Sequence, residues 1–515
     1  MQTFQIRKPA VVSRHGMVAS QNQHAAQAGA AVLAGGGNAM DAAVVTALVL
    51  SVVEPWLSGI GGGGFLLHAD GATGQVDTLD FNVVSAQATD PAHYPLGGET
   101  AGNWFSWPSV QGDRNVSGYG AICVPGAIAG FAAALERFGT LSFADALAPA
   151  IEHAERGLEL DWFACLALAI DAAGLSEHEA SAALFLDQGR APRASDRTPP
   201  QCRPMPLKAK ILKRLASHGA RDFYDGEIAR LLAADLQAGG SPIRLSDLAA
   251  YQVQWKAPLV GQYRGYEVNL IDGLSGGPTF LDACSQLSVS ALNPDTSAAD
   301  AALLYATAIR KAYETRLTTL GHAATPQVGC TSHLSVVDAD GTMVSLTNTL
   351  LSRFGSKVVL PQTGFLMNNG MMWFDPRPGQ PNAIAGGVKP LANMCPLILK
   401  KDGRPALAIG AAGGRTIFPT VLQLVSYMAD FGMSLEQAFH APRIEASTPT
   451  IKVNALAGPE VAARVGTQFP VEVVHDAVYP VHFAVPSAVM RDDAGNTGMA
   501  HPPHPWAAVV VGARA

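Results

Sequence analysis

The sequence predicts an α+β protein in which several strands are flanked by long helices, and three observations lead there. The second half of the chain carries short β-branched runs bounded by turn residues, at 334–338, Met343–Thr349, 357–359, 364–367, 397–399 and 406–409. Stretches elsewhere space their apolar residues three and four apart, at Ala127–Phe138, 223–237 and 298–317. One further helix, Ala39–Val53, is apolar nearly all round, which means burial on every side.

Taken in order, Gly35-Gly36-Gly37-Asn38 is a turn that opens the apolar helix, and Pro55 ends it. The glycine-rich run 58–64 has no Lys-Ser/Thr sequel and no dinucleotide spacing. It therefore reads as close backbone packing rather than a phosphate loop. Residues 65–68 and 75–81 are paired strands joined by a glycine-containing turn. The helix Ala127–Phe138 stops at Gly139, and 142–157 is another helix with Pro149 as a kink or break. Residues 176–206 are polar and rich in Pro, Arg and Ser, which predicts a surface excursion. Beyond the later strands, 417–430 reads as a helix and 434–440 opens another. No internal repeat is visible.

Hydrophobic residues make up 48% of the 515 and charged residues 15%, enough apolar material for a large core and too little charge for disorder. A net charge of −7 without a dense Lys/Arg cluster argues against a nucleic-acid partner. The six cysteines show no CxxC pair and no short ligand spacing, so neither a zinc site nor a disulfide scaffold is indicated, and no cofactor is expected. The longest apolar run, 42–53, is too short to span a bilayer. The N-terminal MQTFQIRKPAVVSRHG lacks the apolar core of a signal peptide, so a cytoplasmic protein without membrane contact is expected.

The segment from Gly329 to Leu350, GCTSHLSVVDADGTMVSLTNTL, is a β-hairpin turning at Asp340-Gly341, and its first strand opens on Thr331. A threonine there usually reflects β-propensity alone. Its surroundings are more specific. Thr331-Ser332-His333, Ser335-Val336-Val337-Asp338, Asp340-Gly341 and Ser345-Leu346-Thr347-Asn348-Thr349 resemble the start of the small subunit in the γ-glutamyltransferase family of N-terminal-nucleophile hydrolases. Further pieces match in order: GMVAS from Gly16, GGGNAMDAA from Gly35, PWLSGIGGGGF from Pro55, Val124-Pro125-Gly126, Phe354-Gly355-Ser356, Asn368-Asn369, Lys389-Pro390-Leu391 and Gly413-Gly414. The resemblance covers nearly the whole chain. It implies a four-layer αββα sandwich, which strands flanked by long helices fit. It also implies one αββα domain made of a large chain, 1–330, and a small chain, 331–515, separated by autocatalytic cleavage between Cys330 and Thr331.

The chemistry follows from that cut. A threonine hydroxyl attacks an amide only when a base removes its proton, and a freed α-amine, titrating near ~8, is such a base. Thr331 is the expected nucleophile. Thr349, matching the family's second threonine, places a hydroxyl on the neighbouring strand. Gly413-Gly414 lies between the strand 406–409 and the helix from 417, and is read either, as the resemblance implies, as presenting backbone N–H groups to an oxyanion or as a plain strand-to-helix turn. His333 shares a strand face with Thr331 and is read either as an orienting group or as a satisfied core histidine.

Departures from the family point at the substrate. Asn82 stands where an arginine holds the substrate α-carboxylate, and Trp373 where an acidic residue holds the α-amine. Leu351 replaces an asparagine, and Ala392-Asn393 replaces a serine pair. Arg353 is read either as a substitute carboxylate anchor or as a solvated surface charge. A zwitterion is costly to desolvate unless each charge meets a partner. The expected activity is therefore that of an autoprocessing threonine amidohydrolase acting on a small amide that is not γ-glutamyl. Its pocket is made apolar by Leu351, Met371, Met372 and Trp373. A γ-glutamyl hydrolase or transpeptidase of glutathione-like substrates and an uncleaved pseudoenzyme with a binding role are the alternatives. The expected partners are the small amide and the two cleaved chains, as an αβ heterodimer or a dimer of these.

Overall fold

A computed structural model describes residues 6–100, 107–194, 199–322, 332–477, 479 and 482–513. Two seven-stranded sheets lie face to face. One contains β2 (Met17–Ser20), β3 (Gly63–Ala69), β4 (Val76–Asp80), β5 (Gln254–Lys256), β8 (Ser332–Val337), β9 (Met343–Thr349) and β14 (Ala508–Val511), in the order β14-β2-β8-β9-β3-β4-β5. The other contains β1 (Val11–Ser13), β6 (Leu259–Tyr263), β7 (Tyr266–Leu270), β10 (Leu397–Lys401), β11 (Arg404–Ala412), β12 (Val485–Asp492) and β13 (Gly495–Ala500), in the order β1-β13-β12-β11-β10-β7-β6. Strands β8 and β9 face β11 and β12 across the interface. Neighbours in both sheets are antiparallel, so each strand alternates between the inter-sheet space and a helical layer.

Helices α1 (Gln23–Ala34), α2 (Ala39–Val53) and α3 (Ala127–Phe138) cover the first sheet, and α4 (Phe143–Arg156) packs on α2. Every residue of α2 is buried, as its all-round apolar sequence requires. Its start is fixed by a capping box between Asn38 and Asp41. The Asp41 carboxylate also accepts from the Thr140 and Leu141 N–H groups at 2.8 and 3.0 Å, which ties α2 to the α3–α4 turn. Helices α5 (Trp162–Ser176), α6 (Pro206–His218) and α7 (Glu227–Ala238) extend this layer. The second sheet is covered by α8 (Gly277–Ser288), α9 (Ala298–Thr319) and α10 (Ile417–Ala429). The result is the four-layer αββα sandwich that the resemblance implies.

Three expectations are corrected. Helix α4 runs through Pro149 without a break, because Ala146, Leu147, Ala150 and Ala154 are buried on either side and hold the helix together. The stretch 176–206 is not a plain surface excursion: its start ends α5 and it contains the helix Glu179–Phe185, which buries Ser181 and Phe185. Residues 357–359 and 364–367 do not join a sheet. They meet only at an isolated bridge between Val359 and Leu366, in a loop where Lys357 and Gly364 have left-handed φ values of 67° and 70° that interrupt an extended strand.

Candidate active site

The hairpin turns where it was expected to, with Gly341 at φ 90° supplying the left-handed turn residue. The proposed nucleophile Thr331 and its predecessor Cys330 lie outside the described residues. Ser332, bonded to Thr331, opens β8 and pairs with Asn348 on β9, so Thr349 is the next residue along. Thr349 is fully buried and its Oγ1 accepts the Leu351 N–H at 2.7 Å, leaving the hydroxyl proton available to a further partner.

The glycine-rich segment brings backbone against this strand end. A Cβ on Gly62 would stand 1.8 Å from Thr349 O, and one on Gly64 would stand 2.0 Å from Thr347 O. Residue types with any side chain are excluded there. The reading of 58–64 as close backbone packing holds.

His333 is a satisfied core histidine. Its Nδ1 lies 3.0 Å from Thr347 Oγ1 and its Nε2 lies 2.9 Å from Ser335 Oγ, with the ring fully buried between the sheets. Burial pushes its pKa down to about 3, so it is neutral near pH 7. A Cβ on Gly410 of β11 would meet the ring at 2.5 Å, so glycine is what lets β8 and β11 approach. Ser345 Oγ donates to Ile409 O at 3.2 Å and Ser487 Oγ to His333 O at 3.3 Å, and these bonds fasten the hairpin to the second sheet.

That fastening also sets a direction. Ser345 meets Ile409, and His333, bonded to Thr347, meets Gly410, so β11 runs toward the hairpin end that holds Ser332 and Thr349. There β11 stops, Gly413 and Gly414 take φ values of 145° and 63°, and a 3-10 turn leads into α10. Glycine, which has no side chain, adopts both without strain. The pair therefore lies between the end of β11 and the helix α10, on the side of β11 that runs toward the hairpin end.

The substrate-binding candidates gather on one apolar cluster. Leu351, Trp373 and Ala392 are all buried in it together with Met371 and Met372. Leu351 has φ 83°, a costly conformation for a γ-branched residue, and Phe354 and Lys357 in the same loop have φ 59° and 67°. The loop is held there by Asn369, whose Oδ1 accepts from Ser352 N at 3.1 Å and whose Nδ2 donates to Ser352 Oγ at 2.7 Å. Asn368 ties Gly61 O and Cys123 O together at 2.8 Å each. Both asparagines of the Asn-Asn motif are thus structural ties.

Asn82 and Asn393 flank the cluster and are themselves buried. Tyr251 donates its hydroxyl to Asn82 O at 2.8 Å and lines a cavity of about 690 Å³ that also touches Val84, His322 and Lys389. A small molecule fits this volume. Arg353 is not a solvated surface charge: Asp171 pairs with it, the Tyr479 ring centroid lies 5.1 Å from its guanidinium carbon, and Lys357 shares Asp171 at 2.8 Å.

Two residues escaped the sequence reading. Asp80, one residue before the Phe81-Asn82 pair, is buried and holds Lys389 at 2.7 Å and Lys256 at 3.2 Å. Burial pushes its carboxyl up, but the two ammonium groups outweigh that and hold it below the ordinary carboxylate range. Arg316 of α9 is also buried, and reaches Asn393. The Lys389-Pro390-Leu391 motif pointed toward the first; nothing local pointed toward the second. Among the described residues no group of three or more His, Cys, Asp or Glu side chains is placed to hold a metal ion, and no helix is long and apolar enough to cross a membrane.

Known proteins resemble this chain along most of its length. The profile of the gamma-glutamyltranspeptidase family matches residues 25–329 and 321–505. The Acylase ACY 1 proenzyme of Pseudomonas sp. (strain SE83) is 34% identical over 478 residues, covering 85% of this chain and 83% of the relative. The glutathione hydrolase proenzyme of Escherichia coli (strain K12) is 32% identical over 486 residues, covering 84% and 81%. The crystal structure of cephalosporin acylase from Bacillus halodurans superposes with a TM-score of 0.87 at 25% identity, covering 99% of this chain and 98% of that one.

Proposed function

Because the chain belongs to the gamma-glutamyltranspeptidase family, whose members here are hydrolases of amide bonds, we propose that it is an autoprocessing N-terminal-threonine amidohydrolase whose substrate is not a standard γ-glutamyl compound. Thr331 is the nucleophile and its α-amine, freed by cleavage after Cys330, is the base. Thr349 orients the attacking hydroxyl, and the N–H groups at Gly413-Gly414 stabilise the oxyanion. Attack on the substrate carbonyl releases the amine and leaves an ester on Thr331, which water then hydrolyses to the free acid.

The observation that carries this reading is that the β8 start, next to Thr331 in the chain, pairs with the β9 end before Thr349, and that β11, which ends at Ala412 just before Gly413, runs along the hairpin in the direction of that end. That both relatives are proenzymes supports the cleavage. The clamp of Asn82, Leu351, Trp373, Ala392 and Asn393 offers no carboxylate to a substrate ammonium, which disfavours a γ-glutamyl head. Arg353, already engaged by Asp171, is given no part in this clamp.

The γ-glutamyl reading has one observation in its favour, the resemblance to glutathione hydrolases over 84% of the chain. Mass spectrometry of purified protein and of the Thr331→Ala variant tests the proposal. Two chains, 1–330 and 331–515, are expected from the first and a single 53.6 kDa chain from the second. Turnover of an acyl anilide by protein that keeps the Cys330–Thr331 bond would overturn it, and release from a γ-glutamyl anilide at a rate equal to the best substrate would favour the second reading.

A further inference from the structure

Thr416 stands at the N-cap of α10, where a threonine ordinarily accepts a hydrogen bond from the second or third N–H of its helix. Here it makes no such bond. The third helical residue is Pro419, which has no N–H to offer, and Thr416 takes helical φ and ψ of −81° and −2° rather than the extended values of an ordinary cap. The hydroxyl instead turns backward and donates to Gly413 O at 2.9 Å, and the Thr416 N–H donates to the same oxygen at 3.3 Å. Glycine at 413 makes room for this, because a Cβ there would stand 2.7 Å from Thr416 Oγ1.

The next two carbonyls of the turn are consumed as well. Gly414 O accepts the Ile417 N–H, and Arg415 O accepts the hydroxyl of Tyr313, a buried residue of α9. A trans peptide sets its C=O and its N–H on opposite sides. Because Gly413 O is drawn toward Thr416, the Gly414 N–H of the same peptide points the other way, and it meets no acceptor among the described residues. The two glycines do not hold that peptide by themselves, since glycine moves among many backbone states at little cost. The hold comes from a neighbour, and the Thr416 hydroxyl supplies it.

We propose that Thr416 is a positioning residue for the oxyanion: its hydroxyl locks the Gly413–Gly414 peptide so that the Gly414 N–H is aimed outward as a donor before substrate arrives. The proposal rests on the amidohydrolase reading, in which that N–H meets the negative oxygen formed when the Thr331 hydroxyl adds to the substrate carbonyl. Thr416 itself is assigned no contact with the substrate. A donor fixed in advance needs no reorientation as charge develops, and it helps the charged transition state more than the neutral carbonyl of the bound substrate. Loss of the hydroxyl therefore lowers kcat and leaves KM nearly unchanged.

Steady-state hydrolysis of an acyl anilide by the mature protein tests this. Thr416→Val, which keeps the shape and the β-branch but has no hydroxyl, is expected to lower kcat about tenfold with KM within about twofold of wild type. Thr416→Ser, which restores the donor, is expected to keep kcat within about threefold of wild type. A Thr416→Val enzyme with wild-type kcat overturns the proposal even where its denaturation midpoint falls, because the hydroxyl is then a tie for stability alone. A Thr416→Ser enzyme as slow as Thr416→Val overturns it too, as does a Thr416→Val enzyme whose loss lies in KM. Should Thr416→Val not fold, Thr416→Ala carries the same expectation, and an unchanged kcat there overturns the proposal. Absence of chain cleavage and of anilide hydrolysis in the wild type removes the amidohydrolase reading and the proposal together, whereas an active wild type beside an equally active Thr416→Val removes the proposal alone.

Discussion

Around Thr349 the backbone packs with no side chain between elements, whereas around Trp373 side chains fill the space and the backbone is irregular. In the first region glycines bring β3 and the segment before it directly against β9, and ladder bonds fix every position. In the second, Leu351, Met371, Met372, Trp373 and Ala392 pack together from loops and a short 3-10 turn. The difference teaches which part of the site can vary. Backbone packed so closely that a Cβ would stand 1.8–2.0 Å from a carbonyl oxygen allows no added atom, whereas a cluster of apolar side chains accepts exchanges that conserve volume.

Substitutions in the two regions sharpen that contrast. The largest effect is expected from Gly62→Ala, because the new Cβ meets the Thr349 carbonyl at 1.8 Å and neither strand can withdraw. Destabilisation of about 4 kcal/mol or more, read by denaturant titration, is expected. A Gly62→Ala protein as stable as wild type would break the comparison. Trp373→Ala removes a fully buried indole and is expected to cost about 3–5 kcal/mol by the same measurement. Its chain cleavage is expected to persist, since the loop does not form the strand end.

A smaller free-energy change, read in activity, is expected at Gly413. With φ at 145° and Ala484 Cα 2.8 Å from a new Cβ, Gly413→Ala turns the N–H groups away and is expected to lower kcat about 10²-fold with KM little changed. The smallest effect is a pH slope. His333 is held neutral down to about pH 3 when folded but takes up a proton below 6.5 when unfolded. Its contribution to stability is therefore complete above pH 6.5 and is lost as pH falls toward 3, at up to about 1.4 kcal/mol per pH unit. Denaturant titrations at pH 7 and pH 5 are expected to show a shallower fall in His333→Gln than in wild type, and parallel falls would remove His333 as the cause.

Local pattern revealed much of the scaffold. The all-round apolar run at Ala39–Val53, the Asp340-Gly341 turn and the stop at Gly139 each act through neighbours in the chain. The failures share a cause. Pro149 was read as a kink or a break because its lost hydrogen bond is a local cost, and the break is absent because packing against α2 and α6 holds α4 through it. Residues 357–359 and 364–367 have strand-like composition, but the left-handed backbone at Lys357 and Gly364 follows from what the loop packs against.

The sequence alone determined the layered α+β fold, the family and the candidate reacting residues, because hydrophobic period, turn chemistry and motif order are properties of the chain itself. Only the tertiary structure decided that His333 is a neutral tie between sheets, that Arg353 is engaged by Asp171, and that Arg316 turns the Asn393 amide. These depend on which side chains meet across long separations, 77 residues for Arg316 and Asn393, and hydrogen-bond direction and charge balance are fixed only by such meetings.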